Sequence, residues 1–306
     1  MIVCIGEALV DMIPRTLDNG AECYLPISGG AVFNTSIALG RLDTKAAIVT
    51  GLSTDMFGEQ IRESLIGSSV NTDLVITAER PTTLAFVKLK DGSAQYSFFD
   101  ENSAMSMLTP DDLEPFPSEG KALFMGGISL AIEPFGVACQ HYMQSIADDI
   151  PVMVDPNIRP TFIADQEAYR KRLQTIIARS DIIKVSDEDL ELMEPGSNFE
   201  DIAKEWIAED AALVIRTLGG DGAEAVSASG TVRVPGVPVE VVDTVGAGDT
   251  FNAGLLHYLD KNGKLDRASL KTLSDEDISQ ALSFACRCAA HTVSKAGANP
   301  PRHSDL

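Results

Sequence analysis

The stretch DTVGAGDTF, residues 243–251, sets Gly246, Ala247 and Gly248 in a row and follows them with a carboxylate, Asp249. An apolar helical run, FNAGLLHYL, comes next. A loop of small residues feeding a helix N-terminus is an anion site. The first backbone N–H groups of a helix have no intrahelical partner, and its dipole favours negative charge there. With an anion on the amides of Gly246, Ala247 and Gly248, Asp249 has two possible jobs. As a general base it takes the proton of a hydroxyl that attacks a bound phosphoryl group. As a cap it serves only the helix, since Asp is a favoured cap residue. The spacing leaves both open.

Other stretches carry weaker chemistry. TLGGDGA, 217–223, is a second glycine turn (Thr217, Gly219, Gly222), either a plain hairpin or a nucleotide loop. SGGAVFN, 28–34, sets Gly29 and Gly30 before a helix and Asn34 in its first turn, where the amide binds a polar ligand or caps locally. Asp11 falls just past the first apolar run, at the end where ligand sites of open α/β sheets gather; a solvated turn is the alternative. Arg159, in DPNIRP, suits phosphate geometry or a surface ion pair. KVSDEDLEL, 184–192, holds acids, Asp189 among them, that could reach Mg²⁺ through water or simply complement a helix dipole. GxxxxGK[ST] is absent, the third glycine of a dinucleotide fingerprint is missing, and the four histidines have no zinc-like spacing.

The elements that must position these residues alternate. IVCIGEAL (2–9) reads as a strand, AVFNTSIALGRL (31–42) as a helix, AAIVTGLS (46–53) as a strand and FGEQIRESLIG (57–67) as a helix. That rhythm predicts a mostly parallel sheet flanked by helices. It breaks at about 80–100, where TTLAFVKLK and AQYSFF flank the hairpin signal DGS. With residues around 13–27 these predict a small β insertion. The α/β rhythm then resumes, GTVRVPGVPVEVVD reads as further strand, and helices are expected near 248–260 and 275–294.

Bulk properties narrow the function classes. A chain of 306 residues suits one large α/β domain. Its net charge of −21 argues against nucleic-acid or anionic-membrane partners, which want clustered Lys and Arg. No apolar run is long enough to span a bilayer, the N-terminus lacks a signal-peptide pattern, and the five cysteines have no metal spacing. A cytoplasmic protein with reduced thiols is the expectation.

In their order along the chain these motifs resemble the ribokinase-like (phosphofructokinase B) carbohydrate kinases. DTVGAGDTF looks like that family's C-terminal signature, and SGGAVFNTSIALGRL followed by TGLSTDMFG looks like its N-terminal one. DPNIRP, KVSDEDLEL and TLGGDGA fall between them in the usual order. The resemblance covers residues 1–306 as a single kinase domain, with a β lid from about 13–27 and 80–100. It implies an ATP-dependent sugar kinase with Mg²⁺, phosphorylating a primary hydroxyl. Asp249 then matches the base, Gly246, Ala247 and Gly248 the anion hole, and Arg159 an arginine near the reacting phosphate. Asp11, Gly29, Gly30, Asn34 and the lid's Phe98 match the sugar side. Lys184, Thr217, Gly219, Gly222 and Ala290 match the nucleotide side, Asp189 a metal–water contact, and Asp243 a monovalent cation such as K⁺. Where the family often has N-x-x-E, this chain has Ser186-Asp187-Glu188-Asp189.

The pattern looks most similar to the bacterial fructokinases, through IGEALVDMIP, GGISLAIEPFG and DPNIRP. Alternatives are a 2-keto-3-deoxygluconate, ribose or nucleoside kinase, or a non-catalytic sugar sensor. AQYSFFDENSAM offers no cation for a keto acid, which favours a neutral sugar. The lid of such kinases often mediates homodimers.

Overall fold

Successive side chains of a strand point to opposite faces, so a strand covered on both must be apolar throughout. The first strand, β1 (Ile2–Ile5), is buried at every position. Ile2 and Cys4 enter one hydrophobic cluster, and Val3 and Ile5 enter another. The structure, a computed structural model, describes residues 1–90 and 93–306, with the backbone alone for 88–90 and 93–96. The Asp91–Gly92 part of the expected hairpin turn lies outside the described residues.

After β1 come β2 (Leu9–Thr16), β3 (Glu22–Gly29), α1 (Ala31–Arg41), β4 (Ala46–Ser53), α2 (Met56–Gly67), β5 (Val70–Asn71), β6 (Val75–Ala78), β7 (Leu84–Lys90) and β8 (Ser93–Phe99). Then follow β9 (Ala122–Gly126), α3 (Phe135–Ser145), β10 (Val152–Asp155), α4 (Gln166–Arg179), β11 (Ile182–Ser186), α5 (Asp187–Met193), α6 (Phe199–Ala208) and β12 (Leu213–Thr217). The chain ends with β13 (Ala223–Ser227), β14 (Gly230–Val234), α7 (Ala247–Lys261), α8 (Arg267–Leu270) and α9 (Asp275–Val293).

Ten of these strands form one sheet in the order β14-β13-β12-β11-β10-β9-β1-β4-β5, with β6 also on β4. Pairing is parallel from β12 to β5 and antiparallel at β12–β13–β14. Helices α1, α7 and α9 cover one face through Leu39, Leu255 and Leu282, among others. Helices α3, α4 and α6 cover the other through Phe135, Ile176 and Phe199. A second sheet, β3-β2-β7-β8, stands apart.

Two expectations are corrected. The first apolar run is not one strand: the chain leaves the large sheet after Ile5, and Leu9 already belongs to the small one. The small sheet therefore takes 9–16 and 22–29, beginning earlier than residue 13, and Asp11 lies within β2 rather than in a turn. Residues 235–242 are not strand either. Pro235 and Pro238 lack the N–H a ladder needs. Strands β5 and β6 and helix α8, too short for a periodic signal, are additions.

One buried charge ties three layers together. Asp181, at 0% side-chain exposure, precedes β11. Its carboxylate accepts the Val152 N–H at 2.9 Å, Arg267 Nε at 2.6 Å from α8, and Arg179 Nη1 at 3.3 Å. Asp181→Ala strands the buried Val152 amide and takes a carboxylate from Arg267 and Arg179, which keep Asp210 and the Ile150 carbonyl as partners. It should cost about 2–4 kcal/mol, the partial exposure of both arginines keeping it from exceeding that. The check is a lowered urea midpoint at an unchanged m-value, with native kinetics in the folded fraction.

Candidate active site

In an open parallel sheet, ligands collect beyond the carboxyl ends of the strands. There the chain leaves β1 through Glu7, β9 through Gly127, β10 through Asn157 and Arg159, and β12 through Gly219. Two cavities open at this edge. The first, about 370 Å³, lies between the core and the small sheet. Glu7, Asp11, Asn34, Phe98, Arg159 and Asp249 are in its wall. The second, about 460 Å³, is more apolar and is walled by Thr217, Gly219, Gly222, Val239, Phe251 and Ala290 among others. Thr244, Ala247 and Gly248 belong to both walls.

Gly246, in the left-handed region at φ 77°, starts α7. Asp249 is in the first turn but makes no cap: its Oδ2 accepts Asn34 Nδ2 at 2.9 Å. Thr35 Oγ1 donates to the Asp249 carbonyl at 3.2 Å. These two bonds join the first turns of α1 and α7 and remove the capping alternative. Asp249 is 7% exposed. Burial pushes its carboxyl up to about 7; the Asn34 bond and Lys184 pull it down, and Asp155 and Glu7 push it up. The anion loop differs from expectation in one detail. The Ala247 N–H already reaches Thr244 O at 3.3 Å, a long bond that an anion could displace.

Beside this turn lies a buried ion pair with an amide on it. Lys184 Nζ reaches Asp155 Oδ2 at 2.8 Å, and Asn252 Nδ2 reaches the same oxygen at 2.7 Å. Burial disfavours the ammonium, but Asp155 outweighs it, so Lys184 titrates above the ordinary lysine value. A Cβ built on Gly248 would come 3.2 Å from Lys184 Nζ. A cation held against the positive end of a helix is an unfavourable pairing that a bound anion relieves. Asp155 Oδ1 and Asn252 Oδ1 are buried without a hydrogen-bond partner.

A match to the pfkB family carbohydrate kinases runs over residues 1–305. The chain belongs to this family. It is 41% identical to a fructokinase of Rhizobium leguminosarum bv. trifolii over 276 residues, 90% of this chain and 85% of that one. It is 33% identical to fructokinase-1 of Zea mays over 310 residues, 98% and 94% of the two chains. Among solved structures, a fructokinase from Xylella fastidiosa with bound ATP superposes with a TM-score of 0.89 at 26% identity, covering 97% of this chain and 93% of that one.

The remaining residues of this carbohydrate kinase fall into three groups. Asp11, Gly30, Asn34, Phe98 and Arg159 come together in the first cavity. Gly29 adjoins it, and a Cβ there would stand 2.3 Å from Asp11 Oδ2. Burial pushes the Asp11 carboxyl up to about 6. Phe98 meets Phe162 edge-on with centroids 4.0 Å apart, joining the small sheet to the DPNIRP loop. Thr217, Gly219, Gly222 and Ala290 line the second cavity. Lys184 does not; it is in the wall of the first.

Two expected metal neighbours stand apart. Asp189 lines neither cavity. Its Oδ1 accepts the Ile158 N–H at 2.7 Å, and its Oδ2 accepts Ser186 N at 2.9 Å and Ser186 Oγ at 2.6 Å. It is the far half of a capping box on α5. Asp243 lies outside both cavities too. Its oxygens accept Val245 N–H at 3.0 Å and Gly297 N–H at 2.9 Å, tying the anion loop to the C-terminal segment.

Sequence reasoning missed Glu7, Asp155 and Asn252. Glu7 and Asp155 stand in stretches singled out for other residues and Asn252 just past DTVGAGDTF, and only packing reveals a buried polar cluster. Among the described residues no group of three or more His, Cys, Asp or Glu could hold a metal ion. No helix of these residues is long and apolar enough to cross a membrane.

The geometry predicts how Asp249 titrates. Asn34 donates to the carboxylate and stabilises its charged form, so Asn34→Ala should move the midpoint from about 7 to higher pH. Carboxyl ¹³C shifts of the ligand-free protein across pH 4–9 check this; a lower midpoint would contradict it.

Proposed function

We propose that the protein is an ATP-dependent fructokinase, transferring the γ-phosphoryl group of ATP to a primary hydroxyl of D-fructose. One observation carries the reading: a buried carboxylate that titrates near neutrality lines the first cavity beside Gly248, a residue that both cavities share. A base for a hydroxyl needs that position and that proton affinity. ATP lies with adenosine in the second cavity and phosphates at Thr244–Gly248. The sugar lies in the first cavity against Asp11, Asn34 and the apolar side of Phe98. Its hydroxyl oxygen bonds to the γ-phosphorus as the bond to the β–γ bridging oxygen breaks. The proton passes to Asp249 and ADP leaves. Lys184, Arg159 and the α7 amides offset the charge on the transferring group. The small sheet acts as a lid that excludes water.

Mg²⁺ fits this site as an ion held chiefly by nucleotide phosphates and waters, because Asp155 Oδ1 and Asn252 Oδ1 are buried acceptors in want of donors. When bound, it neutralises part of the phosphate charge. A monovalent cation such as K⁺ would adjoin the loop that Asp243 braces.

The lid also suits a homodimer. Tyr24, Phe86 and Phe99 stack edge-on at 5.0 and 5.3 Å. Strand alternation puts Phe99 on the face opposite Phe98, and Tyr24 and Phe99 remain 48% and 62% exposed. An aromatic patch of this kind favours a second copy over water.

A second reading has its own support. Arg159 lines the first cavity, so a cation absent from the run AQYSFFDENSAM is supplied by the core, and a keto acid such as 2-keto-3-deoxygluconate gains a counter-charge. Phosphorylation assays with both substrates decide. Turnover of D-fructose supports the first reading; turnover of the keto acid alone replaces it. Asp249→Asn should lower kcat by about 10²–10⁴-fold while the Kd for ATP stays within about threefold. Near-native turnover would sink the base assignment. Since Asp249 accepts a proton only when ionised, kcat/KM should fall as pH drops below about 7.

A further inference from the structure

Helix α1 has no cap of its own: its N-cap is Gly30, at φ 107°, and no side chain there accepts a hydrogen bond. The acceptors come from Glu7, 24 residues earlier. Glu7 Oε1 takes the Ala31 N–H at 2.9 Å, and the Glu7 carbonyl takes the Phe33 N–H at 3.1 Å. Glu7 Oε2 faces Ser129, accepting its N–H at 3.3 Å and meeting its hydroxyl. Ser129 Oγ also accepts the Glu7 N–H at 3.2 Å and reaches Gly126 O at 2.7 Å. The residue is 2% exposed.

The neighbouring glycines are cut to this side chain. A Cβ on Gly30 would stand 2.9 Å from Glu7 Cγ, and one on Gly127, at φ 67°, would stand 2.1 Å from Glu7 Oε1. Gly30 and Gly127 both belong to the wall of the first cavity. One oxygen of Glu7 thus holds the turn before α1, and the other holds the turn after β9.

We propose that Glu7 is a positioning residue for the sugar: a remote cap for α1 whose carboxyl sets the spacing between the two turns that wall the first cavity. The proposal rests on reading that cavity as the sugar site. Without Glu7 the Ala31 N–H loses its acceptor and the turns move independently. Asn34 lies in the first turn of α1 and shifts with it. No partner of Glu7 is in the wall of the second cavity, so the effect on binding is one-sided.

The test measures KM and calorimetric Kd for D-fructose and for ATP in wild type, Glu7→Ala, Glu7→Gln and Ser129→Ala. Glu7→Ala should raise the fructose constants about tenfold, the effect of one lost buried hydrogen bond, and leave those for ATP within about twofold. Glu7→Gln should stay within about threefold of wild type, because its amide oxygen can serve Ala31 and its NH₂ can serve Ser129 Oγ, with only the long 3.3 Å bond from the Ser129 N–H given up. Equal changes in both substrates, an unchanged fructose constant in Glu7→Ala, or a Gln variant as impaired as the Ala variant would overturn the proposal. Should Glu7→Ala fail to fold, Ser129→Ala decides, since Ser129 lines neither cavity and the change removes the hydroxyl that Glu7 Oε2 meets. The same one-sided rise supports the proposal, and any other pattern removes it. Wild-type turnover is read separately. If the wild type phosphorylates another sugar, fructose falls and the split is measured with that sugar; if it binds none in this cavity, both fall.

Discussion

The hydrogen bond from Asn34 to Asp249 is the contact on which the site depends, because it closes the gap between two helix N-termini. Helix α1 follows the small sheet and α7 follows the glycine loop, so one bond sets the side proposed for the sugar against the side proposed for the phosphates. Phosphoryl transfer has little covalent chemistry for a protein to perform, and most of the work is positioning. A staple between the two elements, made by the carboxylate proposed as the base, would couple alignment to reactivity. The same bond keeps the carboxylate partly stabilised, so that burial raises its proton affinity to near neutrality and no further.

Electrostatics explain how a chain of net charge −21 can hold a polyphosphate. The acids are mostly on the surface, where salt screens them. At the strand ends the field is local: the amides of α7, the buried Lys184 ammonium and the Arg159 guanidinium. Asp155 makes the burial of Lys184 tolerable, and a buried pair of this kind is weak as a source of stability. Its value here is a cation fixed in place with no water to reorganise.

Much of this was legible in the sequence. Helix α1, strand β4 and helix α2 announce themselves by periodicity and glycine stops, and the anion loop by its small residues. The split after Ile5 was not, because Ala8, Leu9 and Val10 are as buried as Ile2–Ile5 and leave no break in the apolar run except Glu7. That lone acid was the available signal. The role of Asp189 was written in the Ser186-to-Asp189 spacing of a capping box, which competed with a metal reading of the same acid. Residues 235–242 alternate like a strand, yet the prolines forbid the ladder and the segment lines a cavity instead. The choice between base and cap for Asp249 could not be read from the local spacing, since both use the same residue at the same place in the helix; only the order of the motifs along the chain favoured the base.

The anion loop is also closed to drift from two sides. A side chain at Gly246 would meet Ala298 at 2.6 Å, in a backbone conformation that L-residues seldom adopt. One at Gly248 would press on the Lys184 ammonium. The obstacles arise from distant parts of the chain, the C-terminal segment and strand β11, so compensating changes would have to occur in concert. A lineage that keeps this arrangement can explore new surfaces, lids and sugars. It can rewrite these two glycines only by rebuilding both neighbours at once.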